Sequence, residues 1–249
     1  MISFFRKIRQ KLLSQNRVTR YLVYALGEIM LVVIGILIAL WVNNWNQDRI
    51  GQQREEKILL GLYQEFDAAA VELEADLNAR KRYLRAAMAL QNNHLTGEPL
   101  NLPADSVKPF VNALISTRFY STAHPVLDDL ASSGSLELIQ SDSIRLLLGI
   151  YMQEKNRYTA VEEREGEFTY NQLIPFLSGI FDLSHSSSNL MTASELDKTI
   201  ESMNLDNQYG SLIYMRISRV NIALDYGNRV ANSIENVLLQ LKKELNSRP

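Results

Sequence analysis

The stretch GEIMLVVIGILIALWVNNW, residues 27–45, decides the architecture of this chain, because Glu28 is its only ionisable side chain. The same holds for the longer run of residues 21–42, whose 22 residues would form a helix roughly 33 Å long at 1.5 Å per residue. That length crosses the apolar core of a bilayer, and aromatic side chains flank it at both ends, as in the aromatic belts of membrane proteins. The run is too long for a cleaved signal peptide and is not followed by a small-x-small cleavage site. The sequence therefore predicts a transmembrane helix over residues 19–45.

Basic side chains precede this helix. The chain has a formal net charge of -2, yet its first 20 residues contain six basic and no acidic side chains. The positive-inside rule then places the N-terminus in the cytoplasm and residues 46–249 across the membrane. Apolar residues share one helical face within residues 1–18, which predicts a basic amphipathic segment lying on membrane lipid, with a disordered basic tail as the alternative. The predicted membrane-surface anchors are Arg6, Lys7, Arg9, Lys11, Arg17 and Arg20. Because the rest of the chain is net acidic, nucleic acid is not expected as a partner.

Three stretches carry a resemblance to a known family. FFRKIRQKLL at residues 4–13, RYLVYALGEIMLVVIGILIALWVNNWN at 20–46 and HPVLDDLASSGSLELIQSDSIRLLLGIYM at 124–152 resemble recurring segments of an uncharacterised family of short single-pass membrane proteins common in Bacteroidota. The resemblance implies a location in the inner membrane of a two-membrane bacterium, with residues 46–249 in the periplasm. It implies no activity, cofactor or catalytic residue.

Beyond residue 46 the apolar residues recur at helical spacing, which predicts an all-α domain. A long helix continues from the membrane helix and ends near residues 94–97, short helices follow at 103–116 and 124–134, and a third long helix spans about residues 141–171 and ends before Pro175. In the final helix the apolar positions alternate steps of four and three, which predicts coiled-coil-like packing. That predicted seam consists of Ile213, Ile217, Val220, Leu224, Gly227, Ala231, Ile234, Leu238, Leu241 and Leu245. The fold prediction is therefore one transmembrane helix followed by an elongated periplasmic up-and-down helical bundle over residues 46–249.

Catalytic and metal-binding motifs were sought in the same sequence. There is no cysteine, so disulfides and thiolate metal sites are excluded. His94, His124 and His185 lack any metal-ligand spacing, which predicts surface or capping roles. The run EKNRYTAVEEREGE, residues 154–167, resembles a carboxylate cluster, but its acids spread around a helix among arginines, which favours a solvated face over a metal site. No catalytic, cofactor-binding or metal-binding residue is predicted, and no cofactor is expected.

Glu28 is the one residue whose position has a clear cost. A charged carboxylate at the centre of a membrane helix costs about 2.5 to 3.5 kcal/mol on the mildest scale. At 100° per residue this acid shares a helical face with small residues, and Gly35 and Ala39 have the small-xxx-small spacing of close helix contacts. The predicted membrane helix interface consists of Tyr24, Glu28, Val32, Gly35, Ala39 and Asn46. The alternative is a protonated glutamate tolerated on a lone anchor.

Two functions from different classes follow. The first is a non-enzymatic, membrane-anchored assembly or scaffold protein of the cell envelope, which forms a homo-oligomer or joins a larger membrane complex. The alternative is an ion- or proton-conducting oligomer, or a stator-like subunit, in which Glu28 lines the path. Membrane lipid is an expected partner in both cases. An enzyme acting on lipid or peptidoglycan ranks third, because no nucleophile or acid–base pair can be nominated.

Overall fold

The computed structural model of the protein describes residue 7, residues 18–179 and residues 192–247. From residue 18 onward these residues form α1 (Val18–Thr96), α2 (Ala104–Ile115), α3 (Pro125–Ser132), α4 (Asp142–Phe168), α5 (Ile174–Ser178), α6 (Ala193–Met203) and α7 (Asn207–Asn246). A 3₁₀ turn, Ser135–Leu138, follows α3, and a π-helix, Thr169–Leu173, joins α4 to α5. No strand occurs in this described part of the chain, and the all-α prediction is confirmed for it.

The chain divides into two compact units, residues 1–56 and residues 57–249, and the division falls within α1. In the first unit, residues 26–50 are all exposed within this chain. Of the helices described here, α1 alone is long and apolar enough to cross a membrane. Its most apolar 18-residue window has a mean hydropathy of 2.6, and none of that window is buried.

Local sequence signals explain where several helices begin and end. Thr96 is the last residue of α1, and the following Gly97 adopts a positive φ of 73°, a conformation that closes a helix and that glycine adopts without strain. α3 starts at Pro125, whose missing N–H has no helical partner to lose at a first position. At α6 the Thr192 hydroxyl accepts from the Glu195 N–H while the Glu195 carboxylate accepts from the Thr192 N–H, forming a capping box.

In the second unit, α1 and α4 run in the same direction. Phe66 of α1 packs on the ring of Tyr151 with 4.7 Å between centroids, and ten residues later Asp76 accepts a hydrogen bond from Tyr158. The chain between them returns along α1 through α2, residues 116–124 and α3. We call residues 116–124 the extended segment, because they connect two helices without helical structure.

α7 runs opposite to α1. Gly227 lies against Leu77, and Gly210 lies against His94, so rising numbers in α1 meet falling numbers in α7. This unit has four limbs, namely α1, the return through α2 and α3, α4, and α7, and they alternate in direction. The second limb differs from the others because it is broken into two short helices with the extended segment between them.

Burial along α1 and α7 repeats in alternating steps of three and four residues. On α1 the buried positions include Leu59, Leu62, Phe66, Ala69, Leu73, Asp76, Arg80, Tyr83, Ala87 and Leu90. On α7 they include Tyr209, Ile213, Arg216, Val220, Ala223, Gly227, Val230, Ile234, Val237 and Leu241. Every second position of the predicted seam of α7, from Ile213 to Leu241, is buried. The other five positions are half-buried and pack against the edges of the apolar core, namely Ile217, Leu224, Ala231, Leu238 and Leu245. Charged residues occupy positions of this repeat that a purely apolar seam excludes.

The buried apolar residues form two clusters. One contains residues 59–77 of α1 with the N-terminal part of α4 and residues 223–241 of α7. The other contains residues 79–90 of α1 with α2, α6 and residues 209–220 of α7. Charged side chains occupy the level between the two clusters.

Candidate functional site

Five charged side chains are buried between the apolar clusters, and we call them the charged layer. Its members are Asp76 and Arg80 of α1, Glu162 and Glu165 of α4, and Arg216 of α7. Each is at most 2% exposed. Burying charges is costly unless each is paired and hydrogen-bonded, so the contacts inside this layer decide whether it is stable.

Arg80 is the centre of the charged layer. Its Nε donates to Asp76 Oδ2 at 3.0 Å, its Nη2 donates to Glu162 Oε1 at 2.7 Å, and its Nη1 donates to Glu165 Oε2. The guanidinium carbon also lies 5.3 Å from the ring centroid of Tyr158, whose hydroxyl donates to Asp76. One guanidinium thus contacts all three buried carboxylates, which uses the fixed fork of donors that arginine provides.

Arg216 supplies the second positive charge. Its Nη1 donates to Glu165 Oε1 at 2.9 Å and to the Thr169 hydroxyl at 3.0 Å, and its guanidinium carbon lies 5.4 Å from the ring centroid of Tyr83. Glu165 therefore accepts from both buried arginines. Burial lowers the pKa of Arg216, while the charge of Glu165 opposes that shift.

The other two carboxylates differ in their positive neighbours. Asp76 has Arg80 and, at 3.6 Å from its Oδ1, the Nε of the partly exposed Arg118. Glu162 has Arg80 alone and accepts in addition from the backbone N–H of Tyr120 at 2.9 Å. Burial raises the pKa of Glu162 to about 7, against the opposing effect of these two hydrogen bonds.

The charged layer also holds the extended segment. In the described residues, positions 117–123 make no backbone–backbone hydrogen bond, although buried backbone groups require partners. Ionisable side chains take that role at every second residue, as expected for an extended chain. The contacts are Arg216 Nη2 to Ser116 O at 2.7 Å, Arg80 Nη2 to Arg118 O at 2.6 Å, Tyr120 N to Glu162 Oε1 at 2.9 Å and Lys155 Nζ to Thr122 O at 3.3 Å. The break in the second limb is thus satisfied by side chains from α1, α4 and α7.

A π-helix places the last polar partner of the layer. Thr169, which accepts from Arg216, is the first residue of this wide turn. Pro175 explains its position, because proline has no N–H for the carbonyl of Asn171 and its ring would clash with that carbonyl in a regular helix. The sequence predicts that the helix ends before Pro175. That prediction is wrong, because the helical path continues through the π-helix and Pro175 to Ser178.

Two sequence predictions need correction here. The carboxylates of residues 154–167 were predicted to lie on a solvated face, but Glu162 and Glu165 are buried, while Glu163 and Glu167 are exposed as predicted. The signal that identifies them is phase, since they continue the four–three spacing that starts at Ile144. Arg80 has the same signal, seven residues after Leu73.

The histidine prediction is also wrong in part. His124 is buried, its Nε2 lies 2.5 Å from the Tyr151 hydroxyl, and burial lowers its pKa to about 4. His94 is half-buried, and its Nδ1 lies 2.9 Å from Asn204 Oδ1. His185 falls outside the described residues. Within those residues, no three His, Asp or Glu side chains converge in a way that could hold a metal ion.

The predicted membrane helix interface lies on one face of α1. All six residues, Tyr24, Glu28, Val32, Gly35, Ala39 and Asn46, are exposed within this chain. A Cβ added at Gly35 would meet no atom within 4 Å, and Asn46 accepts a 3.4 Å hydrogen bond from Arg49 of the next turn. No described part of the chain covers this face.

Most of the predicted membrane-surface anchors lie outside the residues that the structure describes. Lys7 is helical and exposed. Arg6, Arg9, Lys11 and Arg17 lie outside the described residues, as does the side chain of Arg20. The amphipathic segment over residues 1–18 therefore stays a prediction.

An open cavity of about 500 Å³ lies between α1 and α7 in the second unit. Its floor is apolar and includes Leu73, Leu77 and Ile234, and lysines from both helices, Lys81 and Lys242, are among the residues that line it. This cavity is separate from the charged layer, none of whose five members line it.

A family model for a family of unknown function, DUF6090, matches residues 28–161, more than half of the chain. The match begins at Glu28 and includes the apolar helix, the extended segment and most of α4. No curated protein and no solved structure matches the chain. By the extent of the family match, the chain belongs to the DUF6090 family of unknown function.

Proposed function

We propose that this protein is a non-enzymatic, membrane-anchored assembly or scaffold protein of the cell envelope, and that its membrane helix contacts another helix. The observation that carries the proposal is the uncovered face of α1. Glu28, Gly35 and Ala39 share this face, and all three are exposed within the chain. A second helix on this face would remove Glu28 from lipid, and the two small residues would let the backbones approach closely.

The proposed location is the inner membrane, which α1 crosses once. The basic residues before the apolar run stay in the cytoplasm by the positive-inside rule, and residues 46–249 fold in the periplasm. The six basic side chains within the first 20 residues support this orientation. A reporter enzyme fused after Pro249 should be active only in the periplasm, and cytoplasmic activity would reverse the orientation.

Cross-linking through single cysteines tests the proposed contact, because the chain has no cysteine of its own. Ala39→Cys places a thiol on the predicted interface, and Leu37→Cys places one on the opposite face of the same helix, 200° away at 100° per residue. In native membranes under mild oxidation, we expect a disulfide-linked dimer, or a link to a second protein, for Ala39→Cys. Equal yields from the two positions would contradict a specific interface.

An ion- or proton-conducting oligomer is the second candidate, and the exposed carboxylate of Glu28 is the observation that favours it. Flux measured in liposomes separates the two functions. A conducting oligomer should show flux that Glu28→Gln changes or removes. The assembly protein should show no flux in either form.

A further inference from the structure

The charged layer contains one carboxylate more than it has guanidinium groups. The charged or titratable groups around Glu162 come from four elements, namely Glu72, Asp76, Arg80 and Tyr83 of α1, Arg118 and Tyr120 of the extended segment, Tyr158 and Glu165 of α4, and Arg216 of α7. Arg118 and Glu72 are partly exposed and pair with each other at 2.7 Å, so they add no net charge. With every group ionised, three buried carboxylates face two buried guanidinium groups.

The contacts identify Glu162 as the carboxylate in excess. Glu165 accepts from both buried arginines. Asp76 accepts from Arg80 and Tyr158 and has Arg118 nearby. Glu162 shares its single cation with the other two acids, and its remaining partner is a neutral backbone N–H.

The extended segment is what separates Glu162 from water. The N–H of Tyr120 lies directly on its carboxylate, and the Tyr120 side chain is itself buried. One turn along α4, the Phe119 ring lies so close to Gly166 that an added Cβ would come within 2.9 Å of it. Displacement of the segment would therefore expose Glu162 and would break the other three side-chain contacts to its backbone.

We propose that Glu162 is a proton-operated latch on the extended segment. When Glu162 is protonated, two carboxylates face two guanidinium groups, and the segment stays closed over the layer. When Glu162 loses its proton, the buried excess charge is relieved by opening of the segment, which lets water reach the carboxylate. The proton leaves Glu162 for solvent, and no other reactant is needed.

The direction of the effect follows from linkage. The pKa of Glu162 is about 7 when the segment is closed and returns toward its usual 4.5 when water reaches it. The closed state therefore binds the proton more tightly, and opening becomes more favourable as pH rises from 4.5 through 7. The opening equilibrium should increase by up to roughly 300-fold in total, and by about 70-fold between pH 5 and pH 8.

His124 is the last residue of the extended segment, and its titration does not provide an alternative explanation for the pH dependence of opening. Burial, followed by the charge of Lys155, lowers its pKa to about 4, so it is neutral throughout the range from pH 5 to pH 8. The proposal does not depend on the proposed assembly function, since every group in it belongs to the second unit.

Hydrogen–deuterium exchange of the full chain in detergent micelles tests the latch. Exchange rates at pH 5 and pH 8 are divided by the intrinsic rates at the same pH, and peptides covering residues 116–124 are compared with peptides covering residues 59–73 of α1. We expect protection of the Tyr120 amide, which bonds Glu162, to fall by tens of fold from pH 5 to pH 8. It should stay well below the protection of α1 at both pH values, because the segment opens while α1 remains folded. Constant protection of the Tyr120 amide would overturn the proposal. So would protection equal to that of α1 at both pH values, because the whole unit would then unfold in place of the segment.

Matched variants assign the effect to one residue. Glu162→Gln removes the titration and should make protection of the extended segment independent of pH. Glu163→Gln changes the adjacent, exposed acid and should retain the wild-type fall. If protection of the extended segment in Glu162→Gln still falls as pH rises, another group is responsible and the proposal is wrong. If that variant does not fold, the wild-type comparison of the two peptides still decides.

Discussion

Two glutamates, one in each compact unit, have opposite environments within this chain. Glu162 is buried, and an arginine and a backbone N–H of the same chain bind its carboxylate. Glu28 lies in the apolar part of α1, and no described residue covers it. Within the second unit, every member of the charged layer has an oppositely charged partner in the same chain. We therefore propose a partner for Glu28 outside the chain, and this is the basis of the proposed assembly function.

The largest expected effect tests whether the charged layer depends on its central arginine. Arg80→Met keeps an unbranched chain of similar length but leaves three buried carboxylates with a single guanidinium. We expect the free energy of unfolding to fall by about 3 to 5 kcal/mol, measured by urea denaturation in detergent micelles. Arg82→Met, two residues away and exposed, should change it by less than about 0.5 kcal/mol. Similar small losses from both variants would show that the layer is not essential.

The second effect is a pH dependence of global stability. Because the pKa of Glu162 is raised from 4.5 to about 7 on folding, its contribution is fully present below pH 4.5 and is lost as pH rises through 7. The free energy of unfolding of Glu162→Gln, relative to that of the wild type, should therefore rise by about 3 kcal/mol between pH 4.5 and pH 8. Urea denaturation of both proteins at each pH measures this difference. A difference that stays constant with pH would mean that Glu162 is ionised in the folded protein throughout.

The fold of this protein can be predicted from its sequence more readily than the charged layer can. Apolar spacing predicts the helices, and Gly97 and Pro125 mark helix boundaries because their backbone chemistry is local. Glu162 was placed on a solvated face because its neighbours in sequence are charged. Burial follows the phase of the seven-residue repeat instead, and that phase is known only once α1, α4 and α7 are packed together.

The break in the second limb is equally hidden from the sequence. Nothing in residues 116–124 by themselves indicates that their backbone will need partners. The partners lie 33 to 100 residues away in the sequence, with Lys155 the nearest and Arg216 the most distant. Only the tertiary structure brings such distant residues together. The apolar clusters on either side of the charged layer then determine which residues of α1, α4 and α7 lie at the same level.

A third effect concerns close packing near the charged layer. A Cβ at Gly227 would lie 2.5 Å from Leu77 Cδ2 and 3.1 Å from the Tyr158 hydroxyl, which is fixed by its bond to Asp76. Gly227→Ala should therefore destabilise the protein by about 1 to 3 kcal/mol. Gly149→Ala, in an open part of α4, should stabilise it by about 0.5 to 1 kcal/mol through helix propensity. Thermal denaturation followed by circular dichroism compares the two, and stabilisation by both would contradict the close approach of α7.

The smallest effects belong to the membrane helix. Glu28→Gln should weaken association by less than about 1 kcal/mol, because the amide still donates and accepts and interhelical polar contacts in membranes are weak. Gly35→Leu should weaken it more, since a large side chain forces the backbones apart. Gly27→Leu is the matched control on another face of α1 and should have little effect. Resonance energy transfer between labelled full-length chains in liposomes can rank the three variants. Equal losses of association in Gly27→Leu and Gly35→Leu would show that the predicted face is not an interface.

We propose that the partner of Glu28 lies outside the chain, whereas the partners of Glu162 lie within it. The most direct test is the mass of the protein component when the full chain is purified in mild detergent. We expect two or more copies, or one copy with a second protein in fixed ratio. A single copy with no co-purifying protein would contradict it, because Glu28 would then face lipid or detergent alone.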